Sequence, residues 1–346
     1  MRYIFGEVKK GLRTILQYVF FLGLGIFLVW WSIKDLSAAD RSEIRTAVRH
    51  ARYFLIIPVF FILIMSHFIR AMRWRLLIRS LGYNPSLLNS FFAVLIGYLA
   101  NQAVPRLGEV LKCTVLSRYE KVPADKLIGT IILERLIDAL TLLLVFGITL
   151  VIQPDLYNEL MQTFFHSGDP HAKKSPPYLI AGIIGGVLLI ALIIWMIVKK
   201  KKIADLYTIL IRIKNSVWQG ISAIQHLKER WLFIILTVIL WSLYLSGGYI
   251  GFLALHETQQ YGVTEAFSIL SAGSVGMIVT PGGIGAYALL IEKTMQVYGL
   301  SKGVALAFGW LLWLAQTGVI LVGGLFSFIA LPAYNKRRQN HSKDII

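Results

Sequence analysis

Charged residues are spaced along this chain by long apolar stretches. Runs without Asp, Glu, Lys or Arg separate Arg13 from Lys34, Arg52 from Arg70, Arg79 from Arg106, and Lys174 from Lys199. Three more separate Arg230 from Glu257, Glu265 from Glu292, and Lys302 from Lys336. A helix of about 20 mostly apolar residues crosses roughly 30 Å of hydrocarbon, so each gap predicts a membrane-embedded region. An eighth apolar run, Ile128 to Ile152, carries Glu134, Arg135 and Asp138 near its start. The pattern predicts an all-α polytopic membrane protein, a single integral membrane domain over 1–346.

Two of the eight runs do not read as ordinary spans. Asn89 to Val104 leads into Pro105-Arg106-Leu107-Gly108-Glu109, and Ala266 to Val279 leads into Thr280-Pro281-Gly282-Gly283-Ile284-Gly285. Proline removes a backbone donor and glycine loosens the helix, so Pro105, Gly108 and Pro281 mark helix breaks midway through each region. Irregular backbone at membrane depth is tolerated only inside protein or beside a wet cavity. The reading is six full transmembrane helices plus two re-entrant broken hairpins, with a kinked spanning helix as the alternative at each break. The run Ile15 to Ile33 follows Lys9, Lys10 and Arg13 and precedes Ser37-Ala38-Ala39, as a cleaved signal would. It is longer than an h-region of about 7 to 15 residues, which favours an uncleaved first span. In 199–228, Leu206, Leu210, Ile213, Val217, Ile221 and Ile224 recur every three or four residues behind Lys199 to Lys202. That predicts a cytoplasmic linker with an amphipathic interfacial helix, or a stop-transfer cluster followed by a helix packed on the bundle.

Composition agrees: 56% hydrophobic, 15% charged, with mean hydropathy +0.66. Charged residues make up about a quarter of a soluble domain, so an ordinary soluble enzyme is excluded. The net charge of +17 would point to nucleic acid in a soluble chain, but here it has a topological meaning. With the N-terminus inside, the cytoplasmic segments 1–14, 70–90, 107–127, 199–231 and 332–346 carry 24 of the 35 Lys and Arg residues, and external segments carry 9. Lys and Arg accumulate on the cytoplasmic side, so both termini are expected in the cytoplasm and the protein in the inner (cytoplasmic) membrane. The 34–52 loop, with five basic residues, fits least well. A single cysteine, Cys113, excludes a disulfide within the chain and any CxxC metal pair.

Spacing also relates the two halves. Pro105 and Pro281 are 176 residues apart, and the same shift carries Tyr53 to Glu229 and Ile128 to Val304. Each half reads span, broken hairpin, span, giving repeats at 53–152 and 229–331. Three crossings lie between the matched starts, so the second repeat is inverted. Inverted halves with discontinuous helices characterise secondary transporters and place the substrate site between the breaks.

Charge is concentrated at the first break. Arg106, Glu109 and Lys112 recur at helical spacing, and the next span carries Glu134 and Asp138 at i and i+4 with Arg135 between. A charge at the centre of a membrane helix costs roughly 2.5 to 3.5 kcal/mol on the insertion scale, so these groups are expected to pair or to line a cavity. One reading is a structural ion-pair network near the cytoplasmic interface. In the other, Glu109, Glu134 and Asp138 orient Arg106, Arg135 and Arg73 towards a phosphate. Arg70, Arg75 and Arg79 read as interfacial anchors by default, whereas Arg73 and Trp74 are assigned to the site. At the second break, Gly282, Gly283 and Gly285 allow close backbone approach, and the amides of the half-helix that follows form an anion site.

At these residues the chain resembles the lysylphosphatidylglycerol synthase transmembrane, or flippase-like, family. The resemblance rests on Arg70-x-x-Arg73-Trp74, Asn101 with Pro105 to Glu109, Glu134-Arg135-Leu136-Ile137-Asp138, and Pro281 to Gly285, in this order, and covers roughly 53–330. It implies lipid or lipid-linked cargo moved between leaflets, with Asn101 among the site residues. Two positions depart from the family pattern. Ala288 stands where many members carry an acid, and Lys112 where arginine is frequent. The missing acid argues against a proton or headgroup role at the second break, and against aminoacylated lipid as cargo.

The longest loop, 199–231, leaves no room for the soluble domain that aminoacyl transfer requires. There is no HExxH, no Walker loop and no Asp-rich metal motif, so neither metal, cofactor nor catalytic residue is assigned. Intramembrane lipid chemistry using Glu134 or Asp138 as a base is a minor alternative. The leading expectation is a flippase-like transporter for an anionic phospholipid or a polyprenyl-phosphate-linked molecule. The runner-up is a non-transporting scaffold that recruits a lipid-modifying synthase or glycosyltransferase. The expected partner is an anionic or phosphate-bearing membrane lipid, and not nucleic acid.

Overall fold

The computed structural model describes residues 19, 20, 22–104, 106–154, 156 and 227–343. The expected span at 174–199, nearly all of the amphipathic 199–228 segment, the first residues of the Ile15 run and Pro105 lie outside the described residues. Among the described residues every regular element is helical. In chain order these are α1 (Leu22–Lys34), α2 (Ala38–Arg49), α3 (Ile56–Arg79), α4 (Leu87–Ala103), α5 (Leu107–Glu120) and α6 (Ala124–Ile152). After the undescribed stretch come α7 (Arg230–Phe252), α8 (Val263–Val279), α9 (Ala286–Val297) and α10 (Lys302–Lys343).

Four described helices are long and apolar enough to cross a membrane, namely α3 with the short turn before it, α6, α7 and α10; the bent pair α1 and α2 brings this to five. Their outer faces are apolar: Phe61, Ile132, Leu143, Val238, Phe326 and Ile329 are all well exposed. Water would oppose so much exposed hydrocarbon, whereas lipid accepts it. One segment differs from expectation. The 34–52 loop contains a helix, α2, that turns 107° away from α1. Ser37 caps it, accepting from the Asp40 amide at 3.0 Å while Asp40 accepts from the Ser37 amide at 2.8 Å, a reciprocal capping box. The Ser-Ala-Ala string that resembled a cleavage site is a helix start.

Both broken regions fold back on themselves. The α4 helix stops at Ala103 and α5 begins at Leu107. Far from that turn, Asn89 on α4 donates to Glu120 at the end of α5, so the pair is antiparallel. The turn is narrow because Gly97 and Gly108 face each other; a Cβ on Gly108 would sit 1.8 Å from the Gly97 carbonyl oxygen. Likewise α8 stops at Val279 and α9 starts at Ala286, while the Tyr261 hydroxyl before α8 donates to the Tyr298 carbonyl after α9 at 3.0 Å.

The two hairpins open in opposite directions. Asn89 exchanges amide hydrogen bonds with Asn335 near the end of α10, at 2.9 and 2.8 Å, and Arg338 donates to Glu120 at 2.8 Å. The open end of α8 and α9 is tied instead to the end of α6, where Gln153 accepts from Ser268 at 2.8 Å and from Tyr298. α3 and α7 pack antiparallel: the Arg52 amide donates to Ala254 at 2.8 Å, and at the other end Arg79 donates to Glu229 at 3.1 Å. The packing is reciprocal, with α4 against α10 and α8 against α6.

Candidate functional site

The turns of the two hairpins meet. A Cβ on Gly282 would lie 1.7 Å from the Gln102 side-chain oxygen, so the second turn abuts the last residues of α4. Gly282 has φ 59°, a conformation open to glycine at little cost, and its carbonyl accepts from Trp313 of α10 at 2.8 Å.

This turn is closed on itself and differs from the expected anion nest. The amides of Gly283, Ile284 and Ala286 donate to Thr280, Pro281 and Ile284, at 3.0, 3.2 and 2.8 Å. Gly283 and Gly285 are buried, and Gly285 packs on the Gly25 backbone of α1. These glycines allow close packing, and three amides of the turn already have carbonyl partners. At Ala288, Gly309 of α10 crosses the backbone so closely that a Cβ on Gly309 would meet the Ala288 oxygen at 2.7 Å.

Beside the first turn lies a buried ion cluster built from three helices. From α3, Arg70 donates to Glu134 at 3.1 Å and to Asp138 at 2.7 Å. Arg73, fully buried, pairs with Asp138, lies 3.7 Å from Glu134 and donates to Thr237 of α7 at 3.4 Å. From α5, Lys112 donates to the other Glu134 oxygen at 2.9 Å and sits over the Trp74 ring at 4.1 Å. Arg70 also reaches the Tyr244 hydroxyl at 2.9 Å and lies over Tyr98. Three cations thus face two carboxylates. Charges removed from water persist only when paired and hydrogen-bonded, and this cluster meets that condition by crossing from α3 to α5, α6 and α7.

The candidate residues therefore divide. Arg73, Trp74, Lys112 and Glu134 are buried. The terminal nitrogens of Arg73 and the polar groups of the other three face neighbours, and Arg73 Nε has no hydrogen-bond partner among the described residues; the Trp74 indole donates to Thr130 at 2.9 Å. Arg73, expected at a phosphate, is fully buried with its terminal nitrogens directed at Asp138, Glu134 and Thr237. Asp138 is only slightly more open. Asn101 accepts from the Gly108 amide at 2.8 Å, supplying the first turn of α5 with a cap from across the hairpin. Glu109 and Lys112, three residues apart on α5, both reach α6, Lys112 pairing with Glu134 inside the cluster and Glu109 with Arg135 at 3.1 Å, while Arg106 precedes the helix. Arg106 is exposed, with φ 66° and ψ −8°. A residue other than glycine in that region costs of order 1 kcal/mol or more. No ion pair of Arg106 is found among the described residues, whereas the half-exposed Arg135 has one remaining fork beyond Glu109.

Arg70, read from sequence as an anchor, is the hub of the cluster. The signal was its spacing, since Arg70, Arg73, Trp74 and Leu77 lie on one helical face matching Glu134 and Asp138. Among the described residues no group of three or more His, Cys, Asp and Glu is arranged to hold a metal ion.

The chain matches the profile of the family described as Lysylphosphatidylglycerol synthase TM region over residues 15–328. It is 25% identical over 284 residues to a UPF0104 membrane protein of Methanocaldococcus jannaschii, covering 73% of this chain and 77% of that protein. No solved structure matches it.

Proposed function

This chain belongs to the Lysylphosphatidylglycerol synthase TM region family, and from that premise we propose that it moves an anionic, phosphate-bearing lipid between the leaflets of the inner membrane. The observation that carries this reading is the exposed Arg106 at the turn of one hairpin, where that hairpin meets the turn of another entering from the opposite direction. On this reading the chain has six full spans and two re-entrant hairpins, with both termini cytoplasmic. Repeats 53–152 and 229–331 are inverted, which the antiparallel α3 and α7 and the reciprocal packing of α4 on α10 and α8 on α6 support.

In this mechanism Arg106 and the open fork of Arg135 receive the phosphate, because guanidinium groups bind phosphate bidentately. Arg70, Arg73, Lys112, Glu134 and Asp138 form the rigid frame that holds α5 and α6 at that spot. Acyl chains stay in the surrounding hydrocarbon, so only the headgroup needs a polar path. Rocking of one repeat on the other separates the turns and turns the headgroup from one face to the other. The protein works as a transporter with no covalent step.

Native mass spectrometry tests the recognition half of this reading. Wild-type protein should retain a phosphate-bearing lipid, and Arg106→Gln should lower its occupancy about tenfold, the loss of roughly one charge-assisted hydrogen bond of about 1.5 kcal/mol. Equal retention by both proteins, or retention of uncharged lipid alone, would count against it.

A further inference from the structure

Glu292 lies on α9 and plays no part in the cluster around Arg70. It is 1% exposed, and neither of its carboxyl oxygens has a hydrogen-bond partner among the described residues. The adjacent Lys293 ammonium forms an ion pair with it at 3.6 Å, longer than a hydrogen bond, and donates to Gln296 at 3.1 Å. The contrast with Glu134 is direct, since that equally buried carboxylate has cationic donors at both oxygens. An ionised carboxylate without hydrogen-bond donors is strongly disfavoured in a buried site, and retaining the proton removes most of that penalty.

Among the described residues, the other charged neighbours of Glu292 are engaged elsewhere. From α10 the neighbouring charge is Lys302, which donates to the Asp35 carbonyl at 3.3 Å. From α2 it is Asp40, already bound in the cap of its own helix; Glu43 of α2 accepts from Ser301 at 2.6 Å. The only charged residue of α8 is Glu265, which accepts from the Gly262 amide at 2.7 Å. On α1, Lys34 pairs with Asp35. Glu292 is about six residues beyond the second turn, roughly 9 Å along the helix, on the rod that carries Gly282 to its meeting point with Gln102.

We propose that Glu292 is a proton-binding site of this protein: its carboxyl carries a proton while α9 is packed as described, and release of that proton to water at the open end of the α8–α9 hairpin loosens α9 and draws the two turns apart. The step breaks the carboxyl O–H bond, leaving carboxylate on the protein and hydronium in solution. The proton arriving from that same face restores the packed arrangement. The consequence for lipid movement rests on the transport reading above; proton binding does not.

Infrared difference spectra of reconstituted protein labelled with carbon-13 glutamate decide the binding claim. Wild type should keep one protonated glutamate band at neutral pH that Glu292→Gln lacks. A wild type without that band, or a variant that retains it, overturns the proposal. The neutral Glu292→Gln should fold at least as well as wild type, because it mimics the protonated state; if it does not fold, the wild-type band alone still decides. The coupling claim is read in vesicles of phosphatidylcholine and phosphatidylglycerol with a fluorescent phosphatidylglycerol probe. Between about pH 6 and about pH 8 on the face that Glu292 reaches, the wild-type rate should change by about threefold or more, within the tenfold per unit that one linked proton allows, and the variant should stay flat. Equal pH response in both proteins overturns coupling. No lipid movement in either, with the band present, removes the transport reading and leaves the proton site.

Discussion

Glu134→Gln should destabilise the protein by about 3 to 5 kcal/mol, the range for removing one partner from a buried ion cluster. The carboxylate of Glu134 lies within hydrogen-bond reach of Arg70 and Lys112 and within 3.7 Å of Arg73. Without its charge, Arg70 and Arg73 share Asp138 alone and Lys112 loses its carboxylate partner. Total stabilities are typically about 5 to 15 kcal/mol, so the variant should give poor yields and a clearly lowered melting temperature in detergent. The control is Glu109→Gln, which breaks an ion pair whose side chains are 35% and 45% exposed. Exposed pairs contribute about 0 to 1 kcal/mol, so that variant should melt close to wild type. Equal melting of all three proteins would mean that the cluster does not hold the helices together.

The second large effect is expected from Gly108→Ala. The added methyl would sit 1.8 Å from the Gly97 carbonyl oxygen and 2.7 Å from the Asn101 side chain. The nearest atom is backbone, so relief requires moving α4 away from α5, and overpacking costs about 1 to 3 kcal/mol or more. The Asn101 cap on α5 is lost with the same movement. Gly129→Ala is the matched control, because nothing lies within 4 Å of its added carbon and alanine favours a helix interior by roughly 0.5 to 1 kcal/mol. Thermal unfolding in detergent should therefore shift in opposite directions for the two alanines. A Gly108→Ala protein that melts like wild type would show that the hairpin is not packed glycine on glycine.

Much of this architecture was legible in the chain. The distance between charges located α3, α7 and α10, because hydrocarbon tolerates few charges along a span, and the apolar run from Ile128 located α6 despite its three charges. Proline and glycine clusters located the two turns, since they break the helix wherever they fall. Local rules failed where the partner was distant in sequence. Arg70 and Glu134 are 64 positions apart, and no periodicity states that their faces meet, although the i, i+3 and i, i+4 spacings on α3 and α6 were compatible. The glycines at 282, 283 and 285 were recognised as a close-approach site, but sequence does not reveal whether the neighbour is a ligand or, as found, Gln102, Trp313 and α1. Asn101 was picked out by resemblance, whereas its bond to Gly108 emerges only when the hairpin closes. Glu292 reads in sequence only as the boundary of an apolar run, because its burial at 1% is set by the packing of α9 rather than by its neighbours in sequence. The capping box at Ser37 and Asp40 is local in sequence, but the adjoining Ser-Ala-Ala string reads equally as a cleavage site.

Transbilayer movement of lipid is the most direct test. Purified protein is reconstituted into liposomes, and exposure of a fluorescent anionic phospholipid or a polyprenyl phosphate is followed with a membrane-impermeant quencher. The account predicts exposure faster than in protein-free liposomes for at least one phosphate-bearing lipid, with Arg106→Gln slowed. Wild-type exposure no faster than in empty liposomes across these cargoes would contradict it, and would leave a membrane scaffold for a lipid-modifying synthase or glycosyltransferase as the account to pursue.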